Sequence, residues 1–211
     1  MRDHLLPRRK SIRVRGYDYS QPGAYFVTVC VHERQCLFGE IRSGIMGMNP
    51  YGCVAAECWD EIPKHFPNVQ LNVMVVTPNH VHGVLFLTDG RSTACRAPTA
   101  EKFGGPVPTS LPTVIRSFKS AATKRINEIR GMPGHPVWQR NYFEHVVRDD
   151  QSLHRIREYM VTNPQRWDMD NNNLDSQVSD PFDQWLKSFK KRTDIHVSRR
   201  TISLAENAGT G

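Results

Sequence analysis

Two runs of β-forming residues stand on either side of a turn that closes off any helix. Leu71–Val76 and His80–Leu87 flank Thr77-Pro78-Asn79, and Pro78 has no N–H to give to a central ladder, so the pair is expected as a hairpin. A hairpin fixes register, and register fixes which side chains share a face. A third β-type run, Ala24–Val31, follows the turn residues Gln21-Pro22-Gly23, and a fourth spans Val137–Val147. Helical spacing covers Tyr51–Ile62, through Val54, Cys58 and Ile62, with Pro63 ending it. It returns over Val114–Arg130, where Val114, Phe118, Ala122 and Ile126 share one stripe. A last core helix is capped by Asp149 or Asp150, runs through Leu153, Ile156 and Met160, and closes at Pro164. The stretch 88–112, rich in Gly, Ser, Thr and Pro, is expected as a partly disordered loop. The order is strand, helix, strand, strand, helix, strand, helix. It defines an α+β chain: a small antiparallel β-sheet with helices packed mainly on one face.

At 211 residues the chain has room for one core. We divide it into a basic N-terminal arm (1–20), a central domain (21–167) and a polar and basic C-terminal tail (168–211), partly disordered, with a short accessory helix in PFDQWLKSFKKR. No apolar run approaches the roughly 20 residues of a membrane span, and the N-terminus lacks the apolar core of a secretory signal. No membrane association is expected, and the expected location is the cytoplasm. Five cysteines without C-x-x-C spacing argue for reduced thiols rather than a disulfide framework or a four-cysteine zinc site. The formal charge of +7 favours an anionic partner. It gathers in the arm (Arg8, Arg9, Lys10, Arg13, Arg15), on the second helix (Arg116, Lys119, Lys124, Arg125) and in the tail. That helix offers either phosphate contacts or a solvated face.

Two segments carry chemistry. In His80-Val81-His82, strand alternation sends both imidazoles to one side, the geometry of a divalent-metal pair. The alternative is two histidines on an exposed strand face. On the last core helix, Tyr159 and Asn163 are four residues apart and share a face. A tyrosine hydroxyl can act as a nucleophile when a neighbouring cation or base activates it, and an amide oxygen can complete a metal site. Singly, Tyr159 also reads as a packed aromatic and Asn163 as a helix-terminal residue.

Taken in order, Thr77-Pro78-Asn79-His80-Val81-His82-Gly83-Val84, then Val137-Trp138-Gln139-Arg140-Asn141-Tyr142-Phe143-Glu144-His145-Val146, then Ile156-Arg157-Glu158-Tyr159 with Asn163-Pro164, resemble the HUH-type single-tyrosine transposases. Within them, the chain is similar to the bacterial REP-associated tyrosine transposases. Gly16-Tyr17-Asp18-Tyr19 and Pro22-Gly23-Ala24-Tyr25-Phe26 fit the same branch, so the resemblance spans residues 8–167. It implies a ferredoxin-like fold and cleavage and transfer of single-stranded DNA at hairpin-forming repeats. His80, His82 and Asn163 would hold Mg²⁺ or Mn²⁺, and Tyr159 would form a 5′-phosphotyrosine link, leaving a 3′-hydroxyl. Asn163 stands where the insertion-sequence branch has a glutamine. Phosphates would be held by the arm residues and the basic helix, and a base by Trp138. The protein would work as a monomer or homodimer.

Tyr142 is the competing nucleophile, although core packing or base stacking accounts for it more simply. Two other function classes stand beside transposition. One is a DNA- or RNA-binding regulator on the same fold without turnover. The other is a metal-dependent hydrolase using water, a class that ordinarily needs a larger barrel and more ligands.

Overall fold

The protein was analysed as a computed structural model, which describes residues 17–89 and 107–189. Its main sheet has four strands in the order β4-β5-β1-β6, every neighbour antiparallel: β1 (Gly23–Cys30), β4 (Val69–Val76), β5 (His80–Leu87) and β6 (Phe143–Val147). A helix follows β1 and another follows β5, which gives the split β-α-β arrangement of ferredoxin-like folds. The α+β class read from the sequence is the observed one.

Alternation along the strands divides the core in two. Tyr25, Val27 and Val29 of β1 and Val81 and Leu85 of β5 face α1 (Pro50–Asp60) and α3 (Leu111–Arg130). Phe26 and Val84 face the opposite side, where α4 (Asp150–Thr162) and a helix over 181–189, here α5, bring Ile156, Tyr159, Met160, Phe182 and Leu186. Thus α1 and α3 cover one face and α4 and α5 the other, so the helices are not gathered mainly on one face as the sequence reading expected: the strands bury apolar side chains on both sides.

Local chemistry sets the ends of these elements. Asn49 caps α1 by accepting from the backbone N–H groups of Tyr51 and Gly52, and Asp149 caps α4 through Ser152 at 2.7 Å. Gly131 closes α3 in the left-handed conformation, φ +64. Gly83 is required by close packing: a Cβ there would stand 2.1 Å from Cζ2 of Trp59, whose ring lies on β5.

Several boundaries differ from the sequence reading. Pro63 does not stop the chain from turning again, because it sits in the first turn of α2 (Ile62–His65), where its missing N–H costs nothing. Pro164 behaves alike at the start of the 3₁₀ stretch Asn163–Met169. The β-type run from Val137 contributes one bridge, Trp138 to Val31, before β6. A two-stranded ribbon, β2 (Gly39–Arg42) and β3 (Ile45–Met48), was not anticipated, since each strand has only four residues and neither contributes a buried side chain.

The boundary drawn at residue 168 also moves. Residues 168–189 fold back onto the sheet, and Phe182 and Leu186 join the second core. A polar composition suggested a linker, but its polar groups are spent on tertiary hydrogen bonds. The arm residues Arg8, Arg9, Lys10, Arg13 and Arg15, most of the expected loop 88–112 and the tail beyond 189 lie outside the described residues.

Candidate active site

His80 and His82 leave β5 on the α4 side, and both are buried, which removes the reading of an exposed strand pair. Antiparallel register sets Thr28 opposite His82, and its hydroxyl lies 2.9 Å from His82 Nδ1. Asn79 orients the other ring. Its amide nitrogen donates to the carbonyls of Arg34 and Asn172, at 3.2 and 2.7 Å. Two acceptors on that side fix the amide's orientation, so Oδ1 faces His80 and accepts from Nδ1–H at 2.8 Å. His80 Nε2 therefore carries a lone pair, and it points at His82 Nε2, 2.9 Å away. Burial, aided by His82, pushes the His80 pKa down to about 3, so the ring is neutral.

The third member comes from the segment after α4. Asp170 Oδ2 lies 3.6 Å from His80 Nε2 and 4.0 Å from His82 Nε2, with the carboxylate fully buried. Burial opposes its ionisation, but hydrogen bonding and electrostatic attraction from His82, His80 and Asn163 outweigh it and hold it below the usual carboxylate range. Donor atoms bound at about 2.1 Å from a common ion stand about 3.0–3.4 Å apart, so this spacing fits a divalent cation after small adjustments. Nδ1 contacts to Asn79 and Thr28 are the outer partners such imidazoles need.

Asn163 reaches the cluster from the C-terminal end of α4. Its amide nitrogen donates to Asp170 Oδ2 at 2.6 Å and to the Tyr159 hydroxyl at 3.1 Å, joining phenol and carboxylate. Among the described residues its buried Oδ1 has no hydrogen-bond partner, which leaves one oxygen beside the cluster for a cation or water.

Tyr159 converges on the same point. Its hydroxyl donates to Asp170 Oδ2 at 3.2 Å and lies 3.4 Å from His82 Nε2. Burial, with the negative charges of Asp170, Asp183 and Asp180, pushes its pKa above the ordinary phenol value, so it holds its proton. Phe182 of α5 stacks flat on the ring. The competing Tyr142 lines the adjoining cleft of ≈540 Å³ with His82 and Tyr159. Of the two, the hydroxyl seen against His82 and Asp170 is that of Tyr159.

The expected nucleic-acid contacts divide. Arg116 and Lys124 are exposed along a groove of ≈860 Å³ between α3 and the loop 131–140, which Arg140 and His135 also line. Gln139 lines both this groove and the cleft at Tyr159. Lys119 also lines it, but its ammonium is held by the carbonyls of Gln139 and Arg140, and burial lowers its pKa. Arg125 is paired to Glu57 and Glu61 of the α1 region. Trp138 is not placed for base stacking: it is buried, its ring against Phe38 and Phe118 at centroid distances of 5.2 and 5.4 Å. Sequence spacing could not show that these residues already had partners.

Sequence reasoning missed Asp170, Asn79, Thr28 and Phe182. Asn79 was within the motif, next to His80, and needed only the question of what orients the imidazole. Asp170 gave no signal, because it sits in a run whose composition is that of a linker.

Fold and site together define an α+β protein with a buried His-His-Asp cluster against a tyrosine. No protein-family model matches the chain. It is 35% identical over 177 residues to an uncharacterized protein of Haemophilus influenzae, covering 78% of this chain and 93% of that one, and it belongs to the same family. Among solved structures it is similar to a REP-associated tyrosine transposase bound to a REP hairpin, with TM-score 0.49, 19% identity, and 75% and 74% of the two chains covered. It is also similar to a Deinococcus radiodurans protein crystallised as a candidate transposase, with TM-score 0.40, 15% identity, and 71% and 95% covered. No described helix is long and apolar enough to cross a membrane.

Proposed function

We propose that this protein is a metal-dependent single-stranded DNA endonuclease and strand transferase of the REP-associated tyrosine transposase type, acting at hairpin-forming repeats. The observation that carries the reading is the convergence of the Tyr159 hydroxyl, Asp170 and His82 within hydrogen-bonding reach. His80, His82 and Asp170 would hold Mg²⁺ or Mn²⁺, with Asn163 Oδ1 beside them. When bound, the ion supplies Lewis-acid polarisation of the scissile phosphate.

The chain's own residues do the rest. Asp170 and Asn163 hold the Tyr159 hydroxyl in one direction, and its proton passes to water as the oxygen attacks phosphorus. The Tyr159 Oη–P bond forms, the P–O3′ bond breaks, and the departing 3′-oxygen takes a proton from water. The phosphotyrosine ester retains the free energy of the phosphodiester, so a 3′-hydroxyl can reverse the step without an external energy source. Arg116, Lys124 and Arg140, lining the groove that meets the cleft at Gln139, supply positive charge for the flanking strand.

A second reading, a regulator that binds nucleic acid without cutting, draws on the Phe182 ring over Tyr159. A labelled hairpin oligonucleotide with a single-stranded flank, incubated with the protein and Mn²⁺, separates the two. A covalent adduct on a denaturing gel is expected; binding without an adduct favours the regulator.

A further inference from the structure

The cleft beside Tyr159 contains an arginine that the metal cluster does not use. Arg34 is half-buried and lines the cleft with Thr28, His82, Tyr159 and Lys187. Its backbone is held in the left-handed region, φ +55, as is that of Glu33. Residues with a Cβ rarely adopt this conformation, and they keep it where surrounding contacts impose it. Those contacts lead to the site. The Arg34 carbonyl accepts from Asn79, the amide that orients His80, and one guanidinium N–H donates to the carbonyl of Asn171, next to Asp170. Among the described residues Arg34 has no carboxylate partner. A half-buried guanidinium without a counter-charge is costly, and a bound anion offsets that cost.

We propose that Arg34 forms a phosphate-binding subsite of the cleft, taking a phosphodiester of the strand presented to Tyr159 through charge-assisted N–H···O bonds. The planar fork suits a phosphate, and the contact to Asn171 fixes a side chain that lines the cleft. The inference rests on the strand-cleaving reading for its substrate, but its binding step is separable from cleavage.

The test uses the full chain carrying Tyr159→Phe, so that binding is measured without chemistry. Affinity for a single-stranded oligonucleotide is followed against salt, with and without Arg34→Ala. Loss of the subsite is expected to weaken binding roughly ten-fold and to reduce the slope of log affinity against log salt by about 0.7, one phosphate contact on a single strand. Arg34→Gln, which keeps a donor toward Asn171 while removing the charge, is expected to lower the slope equally, and it serves if Arg34→Ala unfolds on melting. With Tyr159 intact, guanidinium ion is expected to restore adduct formation in Arg34→Ala, and methylammonium to restore less. Unchanged slope in both variants overturns the inference, including the case of weaker binding at unchanged slope, which marks a purely structural role. If the wild-type chain forms no adduct but Arg34 variants still lose slope, the cleavage reading fails and the subsite stands.

Discussion

The ring of Phe182 lies flat on that of Tyr159, the centroids 3.7 Å apart and the planes within 8° of parallel. Residues from a segment that reads as a polar tail thus cover one face of the candidate nucleophile, while its hydroxyl donates to Asp170 in the connection between α4 and α5. Removing the cover is expected to expose the phenol. Phe182→Ala should speed nitration of Tyr159 severalfold, read by mass spectrometry, and lower stability by about 3 kcal/mol through loss of a buried aromatic. Unchanged nitration would mean that Phe182 does not shield the ring.

Tyr159→Phe removes one hydroxyl from a network that Asn163 and Asp170 keep between themselves at 2.6 Å. Stability is expected to fall by about 1 kcal/mol, while the covalent DNA adduct disappears. An adduct that persists in Tyr159→Phe and is lost in Tyr142→Phe would transfer the nucleophile's role to Tyr142, which shares the cleft.

Metal binding separates Asp170 from Asn163. With Mn²⁺ at about 100 times its dissociation constant, the wild-type chain is expected to gain about 2.7 kcal/mol against unfolding. His80→Ala and Asp170→Ala should lose that gain, and Asn163→Ala should keep most of it, because the Asn163 amide nitrogen faces the carboxylate. Calorimetric titration with Mn²⁺ reads the difference directly. A gain retained in Asp170→Ala and lost in Asn163→Ala would return the third-ligand role to the amide.

His145 packs against Phe189 and Trp185 of α5, at centroid distances of 5.1 and 6.0 Å. Burial, then the charge of Arg148, pushes its pKa from the usual 6.5 down to about 4, with Asp149 opposing. Between those values the unfolded chain binds the proton and the folded chain does not, so stability is expected to fall as pH drops from 6.5 to about 4. Asp183, raised to about 6 by burial and by Asp170, contributes with the opposite sign, since its folded form keeps a proton that the unfolded chain has released. Comparing wild type with His145→Gln isolates the first effect: the acid-side slope from denaturant melts at several pH values should flatten in the variant.

Gly83 touches the Trp59 ring where a Cβ would stand 2.1 Å from Cζ2. Gly83→Ala is expected to lower stability by about 1–3 kcal/mol, with part of the loss recovered in combination with Trp59→Phe, since the shorter ring withdraws the colliding atoms. Additive losses in the double variant would place the strain elsewhere.

The spacing of the sequence reached a good part of this site. Strand alternation put His80 and His82 on one side, helical period put Tyr159 and Asn163 on one face, and both pairings hold in the structure. Local periodicity is sufficient there, because each pair lies within one element. Contacts between elements were not legible. Lys119, Arg125 and Trp138 read as surface groups because a cation or an aromatic at a given helical or strand position says nothing of what packs against it.

The +7 charge, the order of the four main-sheet strands and of the long helices, and the H-x-H strand were determined by the sequence itself, since backbone dihedral preferences and apolar periodicity act over a few residues. Only the tertiary structure decided that Asp170 joins the two histidines, that Asn79 sets the tautomer of His80, and that Phe182 covers Tyr159. Asp170 lies 88 residues beyond His82, and no local rule links the two; they meet because apolar burial of Phe182 and Leu186 draws the segment back over the sheet and the hydrogen bonds of its polar residues hold it there.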